Sequence, residues 1–227
     1  MKTILLKLAG PLQSYGTSSY FETRETDSHP SKSAVIGMIA ASLGYERYRD
    51  EDIRALNALD FAVRVDRGGR LMKDYHTAKK YKPSGDLERT YVTNRYYLED
   101  AVFVAAVGSE DDALVEKITK GLKRPYYQPY LGRRGLPPTW DFYLETVKGE
   151  PVDVLKRYPI QDSVARERKT SVPIYADAHL VPEAPSELRN DRAVSFDQRA
   201  RTFRFRGEAV LEVIPVYKDE HDAFGSI

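Results

Sequence analysis

The chain opens on an apolar run broken only by Lys7, "TILLKLAG", which stops at Gly10-Pro11 and predicts a strand. The segment from Leu12 to Pro30 is polar and aromatic without regular period and predicts a loop. From Ser33 to Leu43 nearly every position is apolar, the pattern of a helix buried on all sides, with Gly44 placed to end it. Asp50 to Leu59 carries Ile53, Leu56 and Leu59 at helical spacing and predicts a second, surface helix. "FAVRVD" alternates with the period of a strand and runs into "RGGR", a hairpin-like turn. Leu71 to Leu98 has almost no aliphatic core and is rich in Tyr, Lys, Arg and Thr, with the turn chemistry "KPSGD" at its middle, so it predicts a long hairpin projecting from the body.

"AVFVAAVG" predicts a buried strand, and "SEDDALVEKITKGL" the clearest helix of the chain. Ser109 is its expected N-cap, Asp112 stands at the capping-box position, and Leu114, Ile118 and Leu122 form one stripe. A Pro-, Gly- and Arg-rich loop follows, "KRPYYQPYLGRRGLPP". Beyond it, strand-like runs ("FYLETV", "FRFRGEAVLEVIPV") alternate with polar connections, and "PEAPSELRND" predicts an exposed loop. This order predicts an α+β protein. Residues 1–150 would form a ferredoxin-like β-α-β-β-α-β body, with the basic hairpin at about 71–98 inserted as a thumb, and residues 151–227 a smaller β-rich part.

Composition narrows the function classes. With no cysteine in 227 residues, disulfide scaffolds and thiolate metal sites are excluded, which fits a cytoplasmic protein. No apolar run approaches the roughly 20 residues of a membrane span. The net charge of +1 speaks against a basic field over the whole molecule, yet charge is segregated by region. Arg64 to Arg95 holds nine Lys and Arg against four acids, and Lys123 to Arg134 adds four bases and no acid.

Three constellations can carry chemistry. Ser31, Lys32 and Ser33 stand where the first helix begins. They are either a helix cap beside a solvated lysine or a socket for an anion, since helix N-termini offer unpaired N–H groups and partial positive charge. Lys73, Tyr75, His76, Lys79, Arg95 and Tyr96 interleave cations with stacking faces on the hairpin, as single-stranded nucleic acid or a partner protein requires. Gly132, Arg133, Arg134 and Gly135 combine close backbone approach with guanidinium forks for phosphate. Enzyme chemistry is thin. None of the four histidines has a metal-ligand spacing, no cofactor motif is present, and His76 beside Tyr75 is the single candidate for metal-independent RNA cleavage.

These stretches also resemble a known family. "LLKLAGPLQSYG", "PSKSAVIGMIAASLG", "DYHTAKK", "TYVTNRYYLEDAVFVAAV" and "PYLGRRGLPP", with "SVPIYADAHL" and "RTFRFRGEAVLEV" further on, are similar to the CasD family of type I-E CRISPR Cascade. The resemblance implies a repeat-associated ribonucleoprotein fold that grips the 5′ handle of the CRISPR RNA. Its neighbours would be the backbone subunit CasC and the large subunit CasA, in proximity to target DNA. It also implies binding without cutting. A related branch that does cut uses a tyrosine with an adjacent Lys–His pair, and this sequence has Tyr75-His76 but no Lys-His dipeptide. On this resemblance Ser31, Lys32 and Ser33 are expected to ligate handle phosphates. Gln13 and Tyr15 would reach base edges, Arg133 and Arg134 would close the opposite side, and the hairpin would lie against the next subunit. The alternative function is a metal-independent endoribonuclease processing repeat RNA.

Overall fold

The N-terminal apolar run forms β1 (Lys2–Ala9), the strand next to one edge of a seven-stranded sheet in the computed structural model, which describes residues 1–17, 22–162 and 170–217. The chain then makes two short strands, β2 (Leu12–Gln13) and β3 (Thr23–Arg24), where the sequence predicts only loop. Helix α1 (Lys32–Ser42) follows, with Ser31 as its N-cap, one turn-fraction earlier than its apolar run begins. α2 is Asp50–Leu56, ending before Leu59 because Leu59 packs into the core from the connection to β4 (Asp60–Arg67).

β5 (Arg70–Tyr81) and β6 (Leu87–Glu99) are the predicted projecting hairpin, paired in register from Arg70↔Glu99 to Lys79↔Thr90 and beyond. The body resumes with β7 (Val102–Ser109), α3 (Asp112–Lys123) and β8 (Tyr143–Lys148). The later elements are α4 (Pro151–Arg157), β9 (Val172–Asp177), β10 (Ser186–Ser195) and β11 (Thr202–Val213). The sheet order is β10-β11-β9-β4-β7-β1-β8, and every neighbouring pair is antiparallel. The strands after residue 150 thus continue the same sheet, joined through β9 to the outer side of β4.

Four differences from the sequence reading have physical causes. "RGGR" does not close a hairpin. β4 pairs with β7 up to Arg67↔Val102, and β5 with β6 from Arg70↔Glu99, so one ribbon bends out of the sheet at residues 68–69 and 100–101. Gly69 (φ 73°) and Asp100 (φ 54°) make the bend, and a Cβ at Gly69 would stand 2.4 Å from the carbonyl oxygen of Glu99. The cap of α3 is Asp111, whose carboxylate accepts from Leu114 N at 3.0 Å. Ser109 ends β7 and supports Asp111 N instead. α4 lies in a stretch read as strands and polar connections, and "PEAPSELRND" contains the start of β10, whose partners lie far away in sequence.

The sheet buries both faces. α1 and α3 cover one, where Val35, Ile36, Ile39, Val115, Ile118 and Leu122 meet Ile4, Leu6, Phe61 and Phe103. α4 covers the other, placing Val154 and Leu155 on Leu5, Ala62, Val104 and Ile174. Leu114, expected in the buried stripe of α3, is only partly buried, and Val115 replaces it. Arg64 is fully buried and ties α4 to the sheet: its guanidinium bonds Asp66 and the carbonyls of Leu155, Tyr158 and Pro159. Among the described residues no helix is long and apolar enough to cross a membrane.

Candidate nucleic-acid interface

The N-terminus of α1 already holds its anions. Lys32 N donates to Asp191 Oδ2 at 2.8 Å, Ala34 N to Ser31 Oγ at 3.3 Å, and Lys32 Nζ to Asp177 Oδ2 at 2.7 Å. Arg206 binds Asp191, Asp177 and Glu208, while Arg189 binds Glu208 and Asp27 and touches His29, whose ring lies 3.7 Å from that of Tyr175. Helix dipole and lysine are therefore neutralised by carboxylates of β9 and β10, not left for a ligand. Burial alone would raise Glu208, but its hydrogen bond with His29 and the charges of Arg189, His29 and Arg206 outweigh it and hold the carboxyl at about 2.

Three of the expected ligands are thereby corrected. Lys32 is a buried ion-pair partner. Gln13 is fully buried, its amide donating to Ala101 O at 2.7 Å and accepting from Tyr15 OH at 2.7 Å. Tyr15 packs edge-on against Phe103, and burial pushes its phenol well above the ordinary range. A buried polar side chain keeps its place only when its hydrogen bonds are satisfied, and all three satisfy theirs inside the protein. Ser31 is buried as the cap, and Ser33 is half-buried at the edge of a groove.

That groove, about 1200 Å³, runs along α1. Its floor is the face of α1 carrying Ala34, Gly37 and Ala41, one residue per helical turn, and Phe196 and Phe203 flank it. The Pro-, Gly- and Arg-rich loop forms the facing wall. Tyr126 N and Tyr127 N donate to the last carbonyls of α1, Ser42 O and Ala41 O, and Ser14 N donates to Leu131 O. Gly132 (φ 83°) is required there, because a Cβ would stand 1.7 Å from Ser14 O. The next residues, Arg133 and Arg134, are thereby set on the rim.

Arg133 is the hub of the rim. Its guanidinium lies 4.7 Å from the centre of the Tyr97 ring and reaches Ser14 Oγ at 3.5 Å. Desolvation lowers its pKa, the like charges of Arg95 and Arg24 lower it further, and Tyr97 and Asp74 oppose them. The Nε atoms of both Arg133 and Arg95 are buried without a hydrogen-bond partner. Among the described residues neither side chain makes an ion pair, whereas the buried Arg64 and Arg206 and the half-buried Arg189 all do. Cations gathered against their mutual repulsion, with donors left over, are complementary to an anion such as phosphate.

The hairpin residues divide by strand alternation. Lys73, Tyr75 and Lys79 share one face with Tyr96, which stands opposite Lys73 with the ammonium 5.9 Å from its ring. His76 and Arg95 lie on the other face. Tyr75 and His76, as consecutive strand residues, point apart and do not converge on one scissile bond. Sequence reasoning missed Arg24, Arg47 and Arg201, which also line the groove, and Gly37 and Phe196 at its floor. The Arg-rich run from Arg199 to Arg206 is the signal that would have found Arg201.

An αβ sheet protein with an arginine-rimmed groove and a projecting ribbon is the class that fold and site define. Residues 3–207 match the family described as "CRISPR-associated protein (Cas_Cas5)". The chain belongs to this Cas5 family. It is similar to the CRISPR system Cascade subunit CasD of Escherichia coli (strain K12), 32% identical over 184 residues that span 74% of this chain and 82% of that one. Among solved structures, a chain of a CRISPR RNA-guided surveillance complex superposes with a TM-score of 0.79 at 30% identity, covering 99% of this chain and 96% of that one. A crystal structure of a Cas protein gives 0.69 at 32% identity, covering 96% and 98%. The resemblance read from the sequence motifs is thus borne out at the level of the family.

Proposed function

We propose that this chain is the subunit of a Cascade-type CRISPR RNA-guided surveillance complex that holds the 5′ handle of the CRISPR RNA without cutting it. The strand would lie in the groove along α1, with phosphates on Arg95, Arg133 and Arg134 and with Ser33 at its edge. Lys73, Tyr75, His76, Lys79 and Tyr96 would act from the hairpin, against RNA and the neighbouring backbone subunit CasC. The large subunit CasA and target DNA would lie near the same end. The unit β8-β1-β7-β4, with α1 and α3 on one face, reads as a ferredoxin-like core. In this reading residues 1–150 supply the arginine rim, and residues 151–227 supply the far wall of the groove.

The observation that carries the proposal is the contrast between arginines. Those of the buried network have carboxylate partners, whereas Arg133 on the groove and Arg95 within its field have unbonded Nε atoms. The test is the binding of handle RNA by the full chain as salt is varied. Each phosphate neutralised contributes about −0.7 to the log–log slope for a single strand, so Arg95→Gln/Arg133→Gln/Arg134→Gln should flatten it by roughly 2. A triple variant with the slope and affinity of the native chain would remove the groove from the RNA path. Incubation of the chain with repeat RNA in EDTA should yield no discrete cut.

A further inference from the structure

The same groove carries a second pair of arginines, Arg47 and Arg201. Arg47 follows the C-terminal end of α1 and is exposed. Arg201 precedes β11, with its guanidinium 5.1 Å from the centre of the Phe203 ring. Among the described residues neither makes a hydrogen bond or an ion pair from its side chain, although Glu46 lines the same groove. Desolvation lowers the pKa of Arg201, the charge of Arg47 lowers it further, and Tyr130 across the groove opposes this. Two guanidinium groups within each other's field, neither in an ion pair, repeat beyond the C-terminal end of α1 the arrangement around Arg133.

The geometry points to a second phosphate site, in which Arg47 and Arg201 hold one backbone phosphate of the same single strand. The inference rests on the reading of the groove as the RNA path, and it adds a direction and an extent to it. α1 has 11 residues and rises about 16 Å, so a strand touching both arginine groups lies along the helix instead of crossing it. Between the groups the floor is Ala34, Gly37 and Ala41, without side chains long enough to obstruct bases, and Phe196 and Phe203 offer faces on which they can stack. Arg201, lying over Phe203, keeps its five N–H donors for the ligand.

The experiment compares salt-dependent binding of handle RNA by the full chain with Arg47→Gln/Arg201→Gln, with Arg47→Lys/Arg201→Lys, and with the triple variant of Arg95, Arg133 and Arg134. Expected for Arg47→Gln/Arg201→Gln are about tenfold weaker binding and a slope flatter by about 0.7, one phosphate. Its thermal unfolding should stay native-like, because both side chains lie outside the core. The lysine pair keeps the charge and should restore the slope, which a folding defect would not allow. Native affinity and slope in the glutamine pair, with binding weakened in the triple variant, would overturn the second site and leave the groove reading standing. Native binding in the triple variant would overturn the groove reading itself.

Discussion

Lys32 Nζ and Asp177 Oδ2 stand 2.7 Å apart, 145 residues apart in sequence, with their side chains only 7% and 6% exposed. Asp177 also accepts from Phe61 N at 3.0 Å and binds Arg206, so the pair joins the start of α1 to β4, β9 and β11. Removing one partner of such a pair strands a buried charge. Lys32→Met should destabilise the chain by about 3 kcal/mol in urea unfolding, and Asp177→Asn added to it should recover part of the loss. Where the Lys32→Met chain is folded, the salt slope of RNA binding should be native. A flatter slope would return Lys32 to the ligand.

Acid should weaken the fold in two stages. Burial, helped by Arg189 and opposed by Glu208 and Asp27, lowers the imidazole of His29 below its ordinary value, so the unfolded chain takes up this proton first. Stability from His29 is therefore complete above the unfolded value of about 6.5 and is lost as the pH falls through it. Glu208, held at about 2, contributes stability above the unfolded value of about 4.3 that is lost as the pH falls toward 2, of order 3 kcal/mol. Urea midpoints from pH 8 to 3 should fall in both windows. His29→Asn should abolish the upper step and Glu208→Gln the lower one.

Gly37 separates helix stability from groove shape. A Cβ there would meet the Phe196 ring at 3.7 Å, an ordinary contact, so Gly37→Ala should raise stability by about 0.5–1 kcal/mol through helix propensity. Gly37→Leu would fill the floor. It should remain folded by circular dichroism and bind handle RNA at least about tenfold more weakly, the equivalent of about 1.4 kcal/mol. Native affinity in Gly37→Leu would exclude the face of α1 as the RNA floor.

The outer hairpin can be tested by removal. Beyond His76↔Thr93 the ribbon is largely exposed, and its Lys80–Glu88 ion pair is a surface pair of little energetic weight. Replacing residues 77–92 with Asn-Gly keeps the His76↔Thr93 pair and closes it with a two-residue turn. The melting temperature should change by no more than a few degrees, since the core is untouched. Co-purification with the neighbouring Cascade subunits should be lost, and its retention would show that the ribbon is not the contact.

The projecting ribbon was legible in the sequence because a hairpin with few aliphatic residues has little to bury, and Leu71–Leu98 announces that by composition alone. Its angle was not legible, since the bend depends on Gly69 meeting Glu99 across two strands. α4 escaped because its seven residues place Val152 and Val154 two apart, a spacing that also fits a strand. For the site, Arg133 and Arg134 were found from their glycine-flanked loop. Arg47 and Arg201 were not: Arg201 stands in an Arg-rich run that went unread, and Arg47 is an unremarked cation until the fold sets the end of α1 beside the start of β11.

What the sequence by itself determined is the set of elements whose signal repeats within five to fifteen residues: the buried strands β1 and β7, the helices α1 and α3, and the basic ribbon. Hydrophobic periodicity is local, so a local reading recovers it. Which cations are left without a carboxylate was decided only by the tertiary structure. Lys32 and Arg133 look alike in the chain, yet one is neutralised by Asp177 and the other is gathered with Arg95 and Arg24 beside an open groove. Neutralisation of charge acts over a few ångströms of space, and the carboxylate that supplies it can stand anywhere in the sequence.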